Sequence, residues 1–312
     1  MENNNIYIMD GQCKMIYGSA CSGIEAATVA WEPIGWTPAW FSEIDPFCCS
    51  LLKHHYPQVP NLGDMTKLHD TELFNTTKLD LLVGGTPCQS FSTAGLRHGL
   101  NDPRGDLALK FIRLISIAKP TWFVWENVAG VLSADKGRAF QQFTTQIQEC
   151  GYSCCWRVLN SQYFGVSQKR RRVYLVGHRD YRCAVQVLFE PEVLCGNLIQ
   201  SKATIESNTI PCFVDVYNHR VTGDIAATFG ANSGGTNTAG PKIIDRDGRI
   251  RRLTPIEAER LMGFPDDYTL IPEKCSDARR YKALGNSMVI PVMSWLGQRI
   301  HQVHRAQQQR AA

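Results

Sequence analysis

Along the first 180 residues, short apolar runs alternate with segments of helical spacing, and the runs end repeatedly in glycine or a carboxylate. Strands and helices in that alternation can bury their apolar faces together only as a mostly parallel sheet covered by helices on both sides. The runs predict a strand near 14–17, a turn at Gly18-Ser19-Ala20-Cys21-Ser22-Gly23 and a helix over 24–31. A strand over 37–41 leads to Glu43 and Asp45, before a helix through His54. A strand over 79–83 runs into Gly84-Gly85-Thr86-Pro87-Cys88, and one over 121–125 reaches Glu126-Asn127. Helices are expected over 107–117 and 140–150, and a further strand over 172–176.

After residue 178 the texture changes. Residues 195–241 are rich in Gly, Asn, Thr and Ser without a long helical period, which predicts a small, irregular, loop-dominated lobe. Helical pattern returns at 254–262, where Thr254 caps, Pro255 fills the first turn and Glu257 lies three residues after the cap. A last helix is expected over 288–304, with a frayed glutamine-rich tail over 307–312. A chain of 312 residues fits one large domain and a smaller lobe.

Charge follows the same division. Residues 1–150 carry 11 Lys and Arg against 15 Asp and Glu, net −4; residues 151–312 carry 22 against 14, net +8. The second part is therefore the candidate for holding an anionic polymer. Twelve cysteines include no Cys-x-x-Cys pair, and the adjacent Cys48-Cys49 and Cys154-Cys155 lack zinc-ligand spacing. The chain starts without a basic, then apolar, leader, and no apolar run has membrane-spanning length. These features predict a cytoplasmic protein with reduced cysteines and without a metal or membrane contact.

In an open parallel sheet, ligands bind at the carboxyl ends of the strands. A glycine turn followed about twenty residues on by a strand-end carboxylate, Gly23 and then Glu43, suits a ribose-bearing cofactor, since backbone approaches the ligand at the turn and the carboxylate accepts from two ribose hydroxyls. That pattern fits a dinucleotide almost as well. Gly84-Gly85-Thr86-Pro87-Cys88-Gln89-Ser90 is more specific, because a stiff Pro-Cys step at a glycine-rich strand end exposes a thiol in a cleft. The following segment 93–105 carries Gly95, Gly99, Gly105, Arg97, His98 and Arg104, which suits a closing lid.

These residues resemble the DNA (cytosine-5) methyltransferase family over nearly the whole chain outside 178–248. Thr86-Pro87-Cys88-Gln89 is similar to its nucleophile motif, Trp125-Glu126-Asn127-Val128 to its Glu-Asn-Val motif, and Gln168-Lys169-Arg170-Arg171-Arg172 to its Gln-x-Arg-x-Arg motif. Arg251-Arg252-Leu253-Thr254-Pro255 with Arg260-Leu261-Met262-Gly263-Phe264-Pro265 resembles its lobe-joining segment, and Tyr281-Lys282-Ala283-Leu284-Gly285-Asn286-Ser287 its last cofactor motif. The first motif departs from Phe-x-Gly-x-Gly-Gly: in Cys21-Ser22-Gly23-Ile24-Glu25-Ala26 only Gly23 remains of the three glycines. Ser167 stands where the family often has proline.

The resemblance implies a Rossmann-like, S-adenosylmethionine-dependent α/β fold. A catalytic domain of residues 1–180 and 281–312 would hold the cofactor, and a target-recognition lobe with its hinge would occupy 181–280. It implies methyl transfer to carbon 5 of a flipped cytosine in duplex DNA by a monomer, as in restriction-modification systems. Cys88 would attack carbon 6, protonated Glu126 would bond ring nitrogen 3, Arg172 would donate to the base carbonyl, and Arg170 would support Glu126 or a phosphate. Cofactor contacts are expected from Ser19, Ala20, Cys21, Gly23, Ile24, Glu25, Glu43, Ile44, Asp64, Met65, Gly84, Thr86, Pro87, Leu107, Asn286 and Ser287, with Glu25 facing the ammonium or sulfonium. DNA contacts are expected from Gln89, Ser90, Arg97, Gln168, Arg251 and Arg252. Three other readings remain. One is a tRNA cytosine methyltransferase, whose Cys-Phe-Thr element Cys212-Phe213-Val214 partly echoes. The others are a non-catalytic DNA-binding or regulatory protein, and a dinucleotide-dependent dehydrogenase, for which Cys88 has no hydride-relay neighbour.

Overall fold

The computed structural model describes residues 14–70, 78–87, 107–189, 212–215, 220–231, 240–245, 247–272 and 275–311. Six strands form the main sheet: β1 (Ile16–Ala20), β2 (Thr37–Ser42), β3 (Leu81–Gly84), β4 (Trp122–Val128), β5 (Ser153–Asn160) and β6 (Arg171–His178), in the order β2-β1-β3-β4-β6-β5. β1, β2, β3 and β4 run parallel, whereas β6 is antiparallel to both of its neighbours. The helices are α1 (Ala26–Trp31), α2 (Pro46–His55), α3 (Leu107–Ala118), α4 (Arg138–Glu149), α5 (Tyr181–Leu188), α6 (Pro255–Met262), α7 (Asp277–Asn286) and α8 (Ile290–Ala311).

Strand periodicity sends alternate side chains to opposite faces. Trp122, Val124, Tyr174 and Val176 join the core cluster that includes Ala26, Ala27, Val187, Leu188 and Leu296 of α1, α5 and α8. Phe123, Trp125, Val173 and Leu175 join the opposite cluster, with Phe111 and Ile112 of α3 and Phe143 and Ile147 of α4. Both faces are thus covered, as the alternation of runs requires. Trp31 at the end of α1 donates its indole N–H to the Met293 carbonyl of α8 at 2.8 Å, tying the first helix to the last.

Several elements differ from the sequence expectation. β5 is an edge strand that the apolar pattern does not announce, and Glu126 lies within β4 rather than beyond its end. The segment expected to be irregular contributes a second, antiparallel sheet of β7 (Cys212–Asp215), β8 (Arg220–Gly223), β9 (Lys242–Ile244) and β10 (Ile250–Arg252), in the order β10-β9-β7-β8. The buried Cys183, Ala184, Val187 and Leu188 of α5 join the core cluster that also holds Trp122 and Tyr174 of the main sheet. The final helix continues through Ala311 where a frayed tail is expected, and the Gln307 amide donates to Cys183 Sγ at 2.7 Å. The capping box of α6 forms as its spacing predicts: Thr254 Oγ1 accepts from Glu257 N at 3.2 Å and Glu257 Oε2 from Thr254 N at 2.7 Å. No helix among the described residues is long and apolar enough to cross a membrane.

Candidate active-site cleft

A cleft of about 1030 Å³ opens at the carboxyl ends of β1, β2, β3 and β4. The turn after β1 forms one wall. Cys21 and Glu25 both take the left-handed conformation there, with φ of 52° and 62°, unusual for residues with a Cβ. Gly23 in the same turn, and Gly63 opposite it, also have positive φ, and a Cβ on either would point into open space. The next wall is Glu43, which follows β2. Its Oε2 accepts from Gly23 N at 2.7 Å and its Oε1 from Ile44 N at 2.8 Å and Asp45 N at 2.7 Å. Three backbone N–H groups thus hold this carboxylate in place at the cleft wall. Ile44 is 71% exposed at the rim, an apolar surface free to lie against a heterocycle. Asp64 and Met65 line the same side, and the Asp64 carboxylate accepts from Thr66 N at 2.9 Å.

β3 delivers Gly84-Gly85-Thr86-Pro87. Gly84 sits in the sheet with its missing Cβ 2.6 Å from the Phe111 ring and does not line the cleft, while Gly85, one residue on, does. Of the glycine pair, Gly85 rather than Gly84 faces the cleft. Trp125 Nε1 donates to Thr86 Oγ1 and Asn127 Nδ2 to the Thr86 carbonyl, each at 2.9 Å. Two side chains from one face of β4 thus fix the backbone immediately before Pro87. Cys88, Gln89, Ser90 and Arg97 lie outside the described residues.

Glu126, between those two anchors on the opposite side of β4, is 8% exposed and faces the cleft. Burial pushes its carboxyl above the ordinary range, against the pull of Arg170 and Arg172. Arg172 Nε lies 3.3 Å from Oε1, an oxygen that has no hydrogen-bond partner within the protein. An unpaired buried polar atom facing a cleft is open to a hydrogen bond from a water, ion or ligand.

Arg170 lines the same cleft, and its charge acts on Glu126 as expected. It is 3% exposed and donates to the carbonyls of Phe229 (2.8 Å), Gly285 (3.1 Å) and Ser287 (2.9 Å). Desolvation lowers its guanidinium pKa to about 10. These bonds clamp a small-lobe segment to the last cofactor motif. Gln168, expected on DNA, is fully buried, donating to the Leu261 carbonyl and accepting from Phe229 N, each at 2.9 Å. Arg251 is likewise occupied, with both guanidinium nitrogens 2.8 Å from Glu257, whereas Arg252 is exposed at the end of β10.

The remaining expected contacts divide. Cys21, Thr86, Pro87, Leu107 and Asn286 line the cleft, and Ser19, Ala20, Glu25 and Ser287 line a smaller cavity continuous with it. The Ile24 side chain is in the core and its carbonyl accepts from Tyr268 Oη, so it faces away. Unanticipated lining residues include Phe47, Ile271, Arg279 and Lys282, brought in by α2, the hinge and α7. The first two are ordinary core apolar residues by sequence; of the basic pair, Lys282 lies inside the last cofactor motif and Arg279 in none of the motifs. Open glycine walls, an exposed apolar rim, a ribose acceptor and polar groups at depth fit a nucleoside carrying a short charged tail.

Residues 17–227 and 194–302 match the family described as C-5 cytosine-specific DNA methylase. The DNA N-6-adenine-methyltransferase of Escherichia phage P1 is 32% identical over 92% of this chain, which spans 61% of that protein's length. Type II methyltransferase M.SsoII of Shigella sonnei is 31% identical, covering 83% of this chain and 72% of the relative. M.NlaX of Neisseria lactamica, also a type II methyltransferase, is 31% identical, with 81% and 84% covered. Among solved structures, the Dnmt2 methyltransferase of S. pombe superposes with a TM-score of 0.68 at 17% identity, over 93% of this chain and 99% of that one, a likeness of fold.

Proposed function

The chain belongs to the C-5 cytosine-specific DNA methylases, and from that membership we propose that it methylates carbon 5 of a cytosine turned out of duplex DNA, with Cys88 as the attacking residue. Bound S-adenosylmethionine supplies the electrophilic methyl group. The observation that carries the reading is Glu126: a buried carboxyl whose Oε1 lacks a hydrogen-bond partner, in the same cleft as the Pro87 end of β3.

Carbon 5 of cytosine is a weak nucleophile. Addition of the Cys88 sulfur to carbon 6 converts the ring to an enamine, whose electrons take the methyl at carbon 5. Loss of the carbon 5 proton and of the sulfur then restores the aromatic ring and the thiol. Negative charge accumulates on the ring during the addition. Glu126 holds its proton through burial and gives it, as a hydrogen bond or outright, to ring nitrogen 3. Arg172 orients that carboxyl and turns its remaining donors toward the base carbonyl. Trp125 and Asn127, by fixing Thr86, set the starting point from which Cys88 reaches the ring. Glu43 takes a ribose hydroxyl and Ile44 the adenine face. The exposed Arg252 and the basic second half hold phosphates.

The phage P1 relative's name specifies adenine N6. Methyl transfer to an exocyclic amine proceeds without a covalent thiol and without a proton donor at a ring nitrogen, so the Pro87-Cys88 step and Glu126 favour cytosine. The test is expression in a host lacking cytosine-5 methylation, followed by sequencing of its DNA for modified bases. We expect 5-methylcytosine in one short context, and none from Cys88→Ser. N6-methyladenine in its place, modification confined to transfer RNA, or a Cys88→Ser variant within tenfold of the parent rate overturns the proposal. Once the context is known, 5-fluorocytosine at the target should leave a denaturation-resistant adduct on Cys88, because fluorine blocks the final elimination.

A further inference from the structure

Beneath the turn after β1 lies a cavity of about 30 Å³, continuous with the main cleft and lined at depth by Ser19, Glu25, Asn286 and Ser287. It has room for a water-sized group, which needs roughly 10–15 Å³. Glu25 is 1% exposed. Its Oε2 accepts from Ser19 Oγ at 2.9 Å, and its Oε1 from Thr28 N at 3.2 Å and Thr28 Oγ1 at 3.1 Å. No lysine or arginine among the described residues forms an ion pair with it. The titratable groups that act on it or that it acts on are Glu43 after β2, Tyr17 on β1, Tyr56 after α2 and Tyr268 in the hinge, none of them cationic.

A buried carboxyl without a cation is costly, and here it also stands at a left-handed φ of 62°, where glycine is the ordinary choice. Capping α1 uses one of its oxygens through Thr28. The cap does not account for the second oxygen beside the cavity. Burial raises the Glu25 carboxyl to about 7, so near neutrality the empty site holds a proton part of the time.

We propose that Glu25 is the counter-ion of the cofactor's α-ammonium group, which enters the small cavity and displaces the Glu25 proton to solvent. This rests on the cofactor reading above. The sulfonium has to stay in the main cleft, where its methyl group reaches the base, so the ammonium is the cationic end left for the small cavity. Asn286 and Ser287 supply further polar surface for the ammonium's remaining donors. When the ammonium arrives, the protonated carboxyl loses its proton to buffer, and an ion pair forms with no other bond made or broken.

Isothermal titration of the intact protein tests this with three ligands: S-adenosylmethionine, S-adenosylhomocysteine (ammonium retained, sulfonium lost) and 5′-methylthioadenosine (both lost). Glu25→Gln should weaken the first two by about 10- to 100-fold, the usual effect of losing a charge-assisted hydrogen bond, and leave the third unchanged. On the wild type at pH 7, binding of either of the first two should release about half a proton, given a carboxyl near 7, read from the dependence of the enthalpy on buffer ionisation heat. That measurement does not depend on the variant folding. Unchanged affinities, a loss for S-adenosylmethionine alone, an equal loss for all three or no proton release each overturn the assignment. A wild type that binds none of the three overturns the cofactor reading along with it, and so the two failures are distinguishable.

Discussion

Glu126 shows how much one side chain's surroundings decide. Burial drives its carboxyl upward and two arginines pull it back, and burial prevails. A carboxyl with a raised folded pKa contributes most below the unfolded value of about 4.3, and its contribution is lost as pH rises through the folded value. The protonated form needed for the ring nitrogen is lost in the same direction. Glu126→Gln keeps a donor but cannot transfer a proton, so kcat should fall by about 10²- to 10⁴-fold. The fall in kcat at high pH should also disappear. Single-turnover rates across pH measure both, and a variant with the parent's high-pH limb would remove Glu126 from the chemistry. At this scale the sequence was legible where a motif is contiguous, as in Trp125-Glu126-Asn127. It was illegible where identity and placement part company. Nothing in a Gly-Gly pair says that the first member packs under Phe111 and the second faces the cleft. Gln168 beside a basic run reads as surface, yet it is a buried strut.

Between elements, the decisive contact is where α7 meets the segment after β8. A Cβ on Gly285 would stand 2.2 Å from the Gly230 carbonyl carbon and the Ala231 nitrogen, both backbone atoms that cannot swing aside. Elsewhere in a helix, Gly→Ala stabilises by up to about 1 kcal/mol. At this position the overlap costs more than the propensity gain, and overpacking of this kind destabilises by roughly 1–3 kcal/mol. Gly285→Ala should therefore lower Tm, and Asn286, next along the chain, should lose cofactor affinity with it. A raised Tm in differential scanning calorimetry would show that the two segments separate freely. Helices and central strands were legible because each buries one periodic face. β5 was not, because Cys154, Cys155, Trp156 and Arg157 on an edge strand are all only partly covered, which erases the alternation. The strands β7 to β10 are too short, in a Gly- and Asn-rich stretch, to establish a period.

For the molecule as a whole, the join between α8 and the sheet rests on histidines that must stay neutral. Nδ1 of His301 accepts from Trp36 Nε1 at 3.4 Å, Nδ1 of His304 from Trp122 Nε1 at 3.2 Å, and Nδ1 of His178 from Asp180 N at 2.9 Å. A second proton on His301 or His304 would sit on the accepting nitrogen, against a donor; on His178 it would meet the Asp180 carbonyl at 3.3 Å as well as the Asp180 N–H. Burial lowers all three pKa values below 6.5. Their stabilisation is complete above the unfolded value of about 6.5 and is lost as pH falls from there through the folded values. The urea midpoint should thus be lower at pH 5.5 than at pH 7.5, and His301→Gln should reduce the difference. Equal midpoints would contradict this account. The tie between Trp31 and Met293 spans 262 positions of chain. Ribosomes add about 5–20 residues per second, so roughly 13–50 s separate the emergence of α1 from that of the helix that covers it. During that interval Trp31 lacks the α8 carbonyl that accepts its indole N–H in the folded protein. A newly made copy cannot complete this part of its core until Met293 has left the exit tunnel.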